Sequence, residues 1–115
     1  MMIIKKLSDV PAGYLPGNAH VKKQIVLGPD DGSQEIVLRH FSVAPGGMSP
    51  HHSHDFPHLV KIEAGRGIAK DSAGTERPLQ AGDYVYVDSN ELHQFVNTGS
   101  ETFDFVCIVP IRGES

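Results

Sequence analysis

The residues best suited to chemistry in this chain are its histidines. There are seven in 115 residues, and four fall within Pro50-His51-His52-Ser53-His54-Asp55-Phe56-Pro57-His58. In an extended segment a spacing of two puts His52 and His54 on one face. His58 has the same parity, and His51 has the opposite one. His93 stands in a separate stretch, behind the turn signal Asn90. Neutral imidazole is a ligand for manganese, iron, nickel, copper and zinc. Imidazoles converging from neighbouring strands would hold one divalent ion. The competing reading is a surface histidine cluster that binds nothing. His20 and His40 lack such spacing and are read as ordinary surface or structural residues.

Strands must position these rings, because no segment reads as a long helix. Eight prolines and twelve glycines divide the chain into short pieces, the pattern of an all-β sandwich or barrel. The expected strands cover residues 22–27, 35–43, 56–64, 68–71, 76–79, 84–87, 92–97 and 102–109. Turn signals such as Pro45-Gly46-Gly47, Gly65-Arg66-Gly67 and Ala81-Gly82-Asp83 separate them. In the last strand Phe103, Phe105, Cys107 and Val109 share one wholly apolar face, assigned to the interior. Asp104, Val106 and Ile108 share the other, apolar enough to invite contact beyond the barrel. Residues 1–20 contain Pro11, Gly13, Pro16 and Gly17, which disfavour a helix. They are expected to form an arm across the barrel or against a neighbouring chain.

Composition narrows the partners. Ten basic and fourteen acidic residues give a net charge of −4, which argues against a nucleic-acid surface. Cys107 is the only cysteine, so an internal disulfide and a cysteine zinc cluster are excluded. No apolar run reaches the roughly eighteen residues of a membrane span. The N-terminus is too short an apolar stretch for a signal peptide, so the expected location is cytoplasmic. The expected organisation is one domain over residues 1–115, with an arm at 1–20 and a barrel at 21–110.

Two spaced patterns resemble the motifs of the cupin family. The first motif, G-x5-H-x-H followed by E and then x6-G, is matched by Gly46, His52, His54, His58 and Gly65. The second, G-x5-P-x-G-x2-H-x3-N, is matched in spacing by Gly82, Asp88, Asn90, His93 and Asn97. His58 stands where the family commonly has a glutamate, Asp88 replaces a proline, and Asn90 replaces a glycine. Asparagine tolerates a left-handed backbone, so Asn90 can serve as the glycine does. The resemblance implies a double-stranded β-helix, the cupin or jelly-roll barrel, and a homodimer. The histidine in place of glutamate resembles a subset of small cupins with four-histidine sites. It implies a metal centre of His52, His54, His58 and His93, with manganese first and iron, nickel, copper or zinc as alternatives.

Four neutral donors leave the ion its full +2 charge, so the centre would be a stronger Lewis acid than one with a carboxylate. An octahedral ion on four side chains retains two open positions for a small-molecule substrate. Arg39, Phe41, Phe56, Phe95, Phe105 and Cys107 are candidate pocket residues. Core packing is the competing role for each phenylalanine and for Cys107, and a rim ion pair for Arg39. No nucleophile with a paired base and no phosphate-binding glycine loop is visible, so chemistry would centre on the metal. The leading expectation is an oxidoreductase of dioxygenase type acting on a small organic substrate. The alternatives are a non-redox lyase or isomerase, and a binding module without catalysis.

Overall fold

Nine β-strands build the fold of residues 1–114, the part of the chain described by the computed structural model. They are β1 (Gly13–Leu15), β2 (Asn18–Leu27), β3 (Ile36–Val43), β4 (His58–Ala64), β5 (Arg66–Lys70), β6 (Glu76–Gln80), β7 (Tyr84–Val87), β8 (Gln94–Val96) and β9 (Phe103–Pro110). Three 3-10 segments, Leu7–Asp9, Pro29–Asp31 and Ile111–Glu114, complete the regular structure. Among the described residues no helix is long and apolar enough to cross a membrane.

The strands form two antiparallel sheets. One has the order β1-β2-β3-β9-β4-β7 and the other β6-β5-β8. Isolated bridges Met48–Val96 and His52–His93 attach the chain before β4 to the second sheet. The architecture is all-β and agrees with the double-stranded β-helix. Alternation sets the core: along β9 Phe103, Phe105, Cys107 and Val109 are buried, and the residues between them are half-buried. With Val21, Val37, Val43 and Ile62 they fill the space between the sheets. Burying one such side chain contributes about 1.5–3 kcal/mol.

Several boundaries differ from the sequence expectation. β4 begins at His58 rather than at residue 56, because Pro57 cannot donate to a ladder. The pairing of β8 covers only Gln94–Val96. The strand expected from residue 22 begins at Asn18, so part of the expected arm belongs to it. The rest of the arm follows its own chain: β1 pairs with β2, and Gln24 Nε2 donates to the carbonyls of Leu7 and Val10 at 3.1 and 3.0 Å.

Two turns bear on the site. Gly65 reverses β4 into β5 at φ +81°, and a Cβ there would stand 2.3 Å from the Thr102 carbonyl oxygen, so only glycine fits. Asn90 has φ 67° and takes the left-handed conformation of the glycine it replaces. Its N–H donates to the His54 carbonyl, which ties the turn before His93 to the histidine-rich stretch.

Candidate metal centre

Local backbone pairing brings distant histidines together. The His93 N–H donates to the His52 carbonyl at 3.0 Å, and the His52 N–H donates back at 3.2 Å. His54 follows two residues later, and its ring stacks on Phe56 with centroids 4.8 Å apart and planes at 10°. The potential ligand nitrogens of His52, His54 and His93 lie within 4.8 Å of one another. His58 enters from the start of β4. Its ring centroid is 5.1 Å from those of both His54 and His93. The compact group is therefore three histidines, with His58 packed beside it. His51 is exposed and stands apart.

The donor set fits a metal ion. His54 Nε2 and His52 Nε2 are 3.1 Å apart. Two nitrogens bound to one ion at about 2.1 Å and at right angles stand about 3 Å from each other. His93 Nδ1 lies 2.8 Å from the Glu91 carbonyl oxygen; donating there, it leaves Nε2 free as a ligand. His58 Nδ1 lies 3.3 Å from Cys107 Sγ, while its buried Nε2 has no hydrogen-bond partner among the described residues. A buried polar atom without a partner is costly, and an ion would remove that cost.

Electrostatics keep these rings in the binding form. Burial, then the nearby His54 and His93, lower the pKa of His52 to about 4. Burial, then His93 and Arg39, lower that of His58 to about 3. His54 is also held below the usual histidine range, chiefly by burial. All three are neutral at pH 7, as metal ligation requires.

A cavity of about 290 Å³ opens onto this cluster. All four histidines line it, as do Arg39, Phe41, Phe95, Phe105 and Cys107. Phe56 is absent from that wall and backs His54 instead. Phe41 and Phe105 stack at 5.4 Å, and Phe95 lies 5.1 Å from Phe105. Arg39 points inward from β3. Its Nη2 donates to Cys107 Sγ at 3.2 Å, and its guanidinium lies 5.1 Å from the centre of the Phe41 ring. Burial pushes the Cys107 thiol above its usual pKa, although Arg39 opposes this. A second cavity, of about 400 Å³, borders β5, β6 and β7 and shares His93 and Phe95 with the first.

Sequence reasoning passed over Lys23 and Glu114. Lys23 also lines the cavity and pairs with the Glu114 carboxylate, as does Arg39 at 3.3 Å. Lys23 has the inward parity of Val21, a signal that was legible. Glu114 follows the last strand, where period-two alternation has ended.

The cupin domain matches residues 39–109, the stretch that carries all of these histidines. The chain belongs to the cupin family. Asn97, the last residue of the second cupin motif, acts structurally here. Its Nδ2 donates to the Val43 and Glu101 carbonyls, both at 2.8 Å, and so ties β8 to β3 and to the turn before β9. Among proteins similar to this cupin is the oxalate-binding protein of Thermotoga maritima, 32% identical over 74 residues. That match covers 64% of this chain and spans 60% of the relative's length. The polyketide cyclase RemF from Streptomyces resistomycificus has a similar structure, with a TM-score of 0.90 and 25% identity. The likeness covers 96% of this chain and 80% of that one. A predicted oxalate decarboxylase from Thermotoga maritima gives a TM-score of 0.83 at 22% identity, over 94% of this chain and 98% of that one, and shares the fold.

Proposed function

We propose that this cupin is a metal-dependent enzyme acting on a small, oxygen-rich organic substrate, with one divalent first-row transition ion held by His52, His54, His58 and His93. The observation that carries the reading is the unpartnered, buried Nε2 of His58 beside three rings whose nitrogens already lie at ligand spacing. Manganese is the first expectation for the ion. Bound there, it would polarise a substrate oxygen and acidify a neighbouring C–H. The chain's own part is to hold and shield. The Glu91 carbonyl fixes the tautomer of His93. Cys107 holds the far nitrogen of His58. Phe41, Phe95 and Phe105 keep bulk water from the cavity wall.

Non-redox chemistry is the reading preferred here. Neutral donors leave the ion's charge undiminished and favour its lower oxidation state. The relatives named for oxalate binding and polyketide cyclisation handle oxygen-rich substrates. Dioxygenase chemistry is the second reading, supported by the apolar aromatic wall directly beside the ligands. Pairing of two copies through the outer face of the six-stranded sheet is also proposed, because Ile36, Leu59 and Tyr86 are 59%, 53% and 62% exposed there. Light scattering reads that directly.

The functional test uses untagged protein. Elemental analysis gives the ion and its occupancy, and His52→Ala and His93→Ala lower that occupancy. Pyruvate serves as a chelating 2-oxo acid probe. Under nitrogen, the zinc- or manganese-loaded protein accelerates deuterium exchange of its methyl protons, read by NMR, and the histidine variants do not. Oxygen uptake with pyruvate, confined to manganese- or iron-loaded protein and with no anaerobic exchange, would favour the second reading. Full metal content in both histidine variants would discard the site.

A further inference from the structure

The segment after β9 closes over one end of the cavity in an unusual way. Ile111 donates its N–H to the Glu35 carbonyl at 2.9 Å, and Arg112 Nη2 donates to the Asp55 carbonyl at 3.3 Å. Gly113 lines the cavity beside Leu15 and Pro16. Glu114 does not line the cavity itself; it borders a neighbouring hollow, and its carboxylate pairs with two cations that do line the cavity, Lys23 of β2 and Arg39 of β3. Its side chain is only 10% exposed, that of Arg39 is 10% exposed, and that of Lys23 is 24% exposed. An arginine and a lysine facing a small apolar cavity make a costly arrangement unless an anion joins them. Arg39 is also two contacts from the histidines: its Nη2 lies 3.2 Å from Cys107 Sγ, and that sulfur lies 3.3 Å from His58 Nδ1.

We propose that Lys23 and Arg39 form a carboxylate subsite of the cavity, and that Glu114 is its internal occupant, displaced when a substrate brings its own carboxylate. The proposal deepens the reading of the cavity as a substrate site and rests on it. It names the substrate class as an organic acid. One end of that acid takes the place of Glu114, and the rest lies along Phe41 and Phe105 toward the histidines. Arginine suits the role because its planar fork pairs with a carboxylate and its face stacks on an aromatic ring, here Phe41. The exchange swaps one ion-paired carboxylate for another, so neither cation is left buried and unpaired. It also releases the 111–114 segment from one of its attachments.

Benzoate and its neutral isostere benzamide test the proposal by calorimetry on the metal-loaded protein. Glu114 competes from within the chain, so its removal strengthens the binding of an external carboxylate. Glu114→Gln is expected to bind benzoate about tenfold more tightly than the wild type, with benzamide unchanged. Adding Arg39→Met to that variant abolishes the gain. In the wild type, saturating benzoate lowers amide protection at residues 112–114 and leaves β9 unchanged. Equal benzoate affinity in wild type and Glu114→Gln overturns the proposal, as does an equal gain for benzamide. Failure of both Glu114→Gln and Glu114→Ala to fold also counts against it, because a displaceable occupant cannot be required for folding. Metal analysis of the same samples separates the two readings. A benzoate gain without bound metal leaves the subsite standing and sinks the metal centre. Full metal without the gain does the reverse.

Discussion

The six-stranded and three-stranded sheets both contribute to the cavity wall but hold their site residues by different means. In the larger sheet β3 pairs with β9 without interruption from Ile36–Pro110 to Val43–Phe103. Arg39 and Cys107 stand opposite each other in that ladder, and His58 opens β4 by pairing with Val87 of β7. In the smaller sheet β8 meets β5 at only three positions, Ile68–Val96, Ala69–Phe95 and Lys70–Gln94. His52 joins that side through a single bridge to His93, and His54 lies outside any strand. One wall is therefore rigid through its own hydrogen bonds. The other is a set of short attachments that a bound ion would draw together. The sequence pattern reflects this contrast: strict alternation in β9, and a proline- and histidine-rich run between Gly47 and His58.

The sharpest way to break the contrast is to damage the rigid wall. Phe103 is fully buried, and Phe103→Ala should cost about 3–5 kcal/mol whether or not metal is present. Chemical denaturation of loaded and stripped protein checks this; an equal loss in both forms is expected. Stripping the ion should act on the other wall. An ion present at about a hundred times its Kd contributes about 2.7 kcal/mol, or about 10 °C in melting temperature. Hydrogen exchange should then rise most at residues 48–56 and 91–96 and least in β3 and β9, where only the loss of global stability is felt. A uniform rise would mean that the two walls are not distinct.

Acid sharpens the same comparison. His52 and His58 titrate at about 4 and 3 in the folded chain, well below the unperturbed value of 6.5. Between those limits the unfolded chain binds protons that the folded chain refuses. The stability of metal-free protein should therefore be highest above pH 6.5 and fall steadily toward pH 4. Metal should be retained to a lower pH than on an exposed histidine cluster, because proton competition starts late. Denaturation midpoints and metal content between pH 4 and 8 measure both effects. The smallest effect is expected at the turn. Asn90→Gly keeps the left-handed backbone, so stability should stay within about 1 kcal/mol and metal content should not change.

Much of this was legible in the chain. The parity of His52, His54 and His58 and the separate position of His93 anticipate the cluster. Alternation from Phe103 to Val109 marks the inner face of β9. Asn90 in place of glycine identifies its own backbone conformation. What stayed hidden depends on contacts distant in sequence. Three residues, Gly13–Leu15, are too few for period two to emerge, so β1 was invisible until its pairing with β2 was known. Whether Arg39 meets solvent or cavity follows from the register of β3 against β9, which places it opposite Cys107. Phe56 had the composition of a cavity residue, but the bend before Pro57 turns it behind His54. The pairing of Lys23 with Glu114 joins residues 91 apart, a span that no local pattern encodes.

Gly113 gives the barrel's end a mechanical link to its centre. A methyl group on this residue would stand 2.7 Å from the Phe56 ring, whose face in turn lies flat against His54. Tail, aromatic plate and imidazole thus form a stack of three layers with no slack at the first joint. A bulkier residue at 113 would press through Phe56 onto His54 and tilt one corner of the donor set, although it touches no ligand itself.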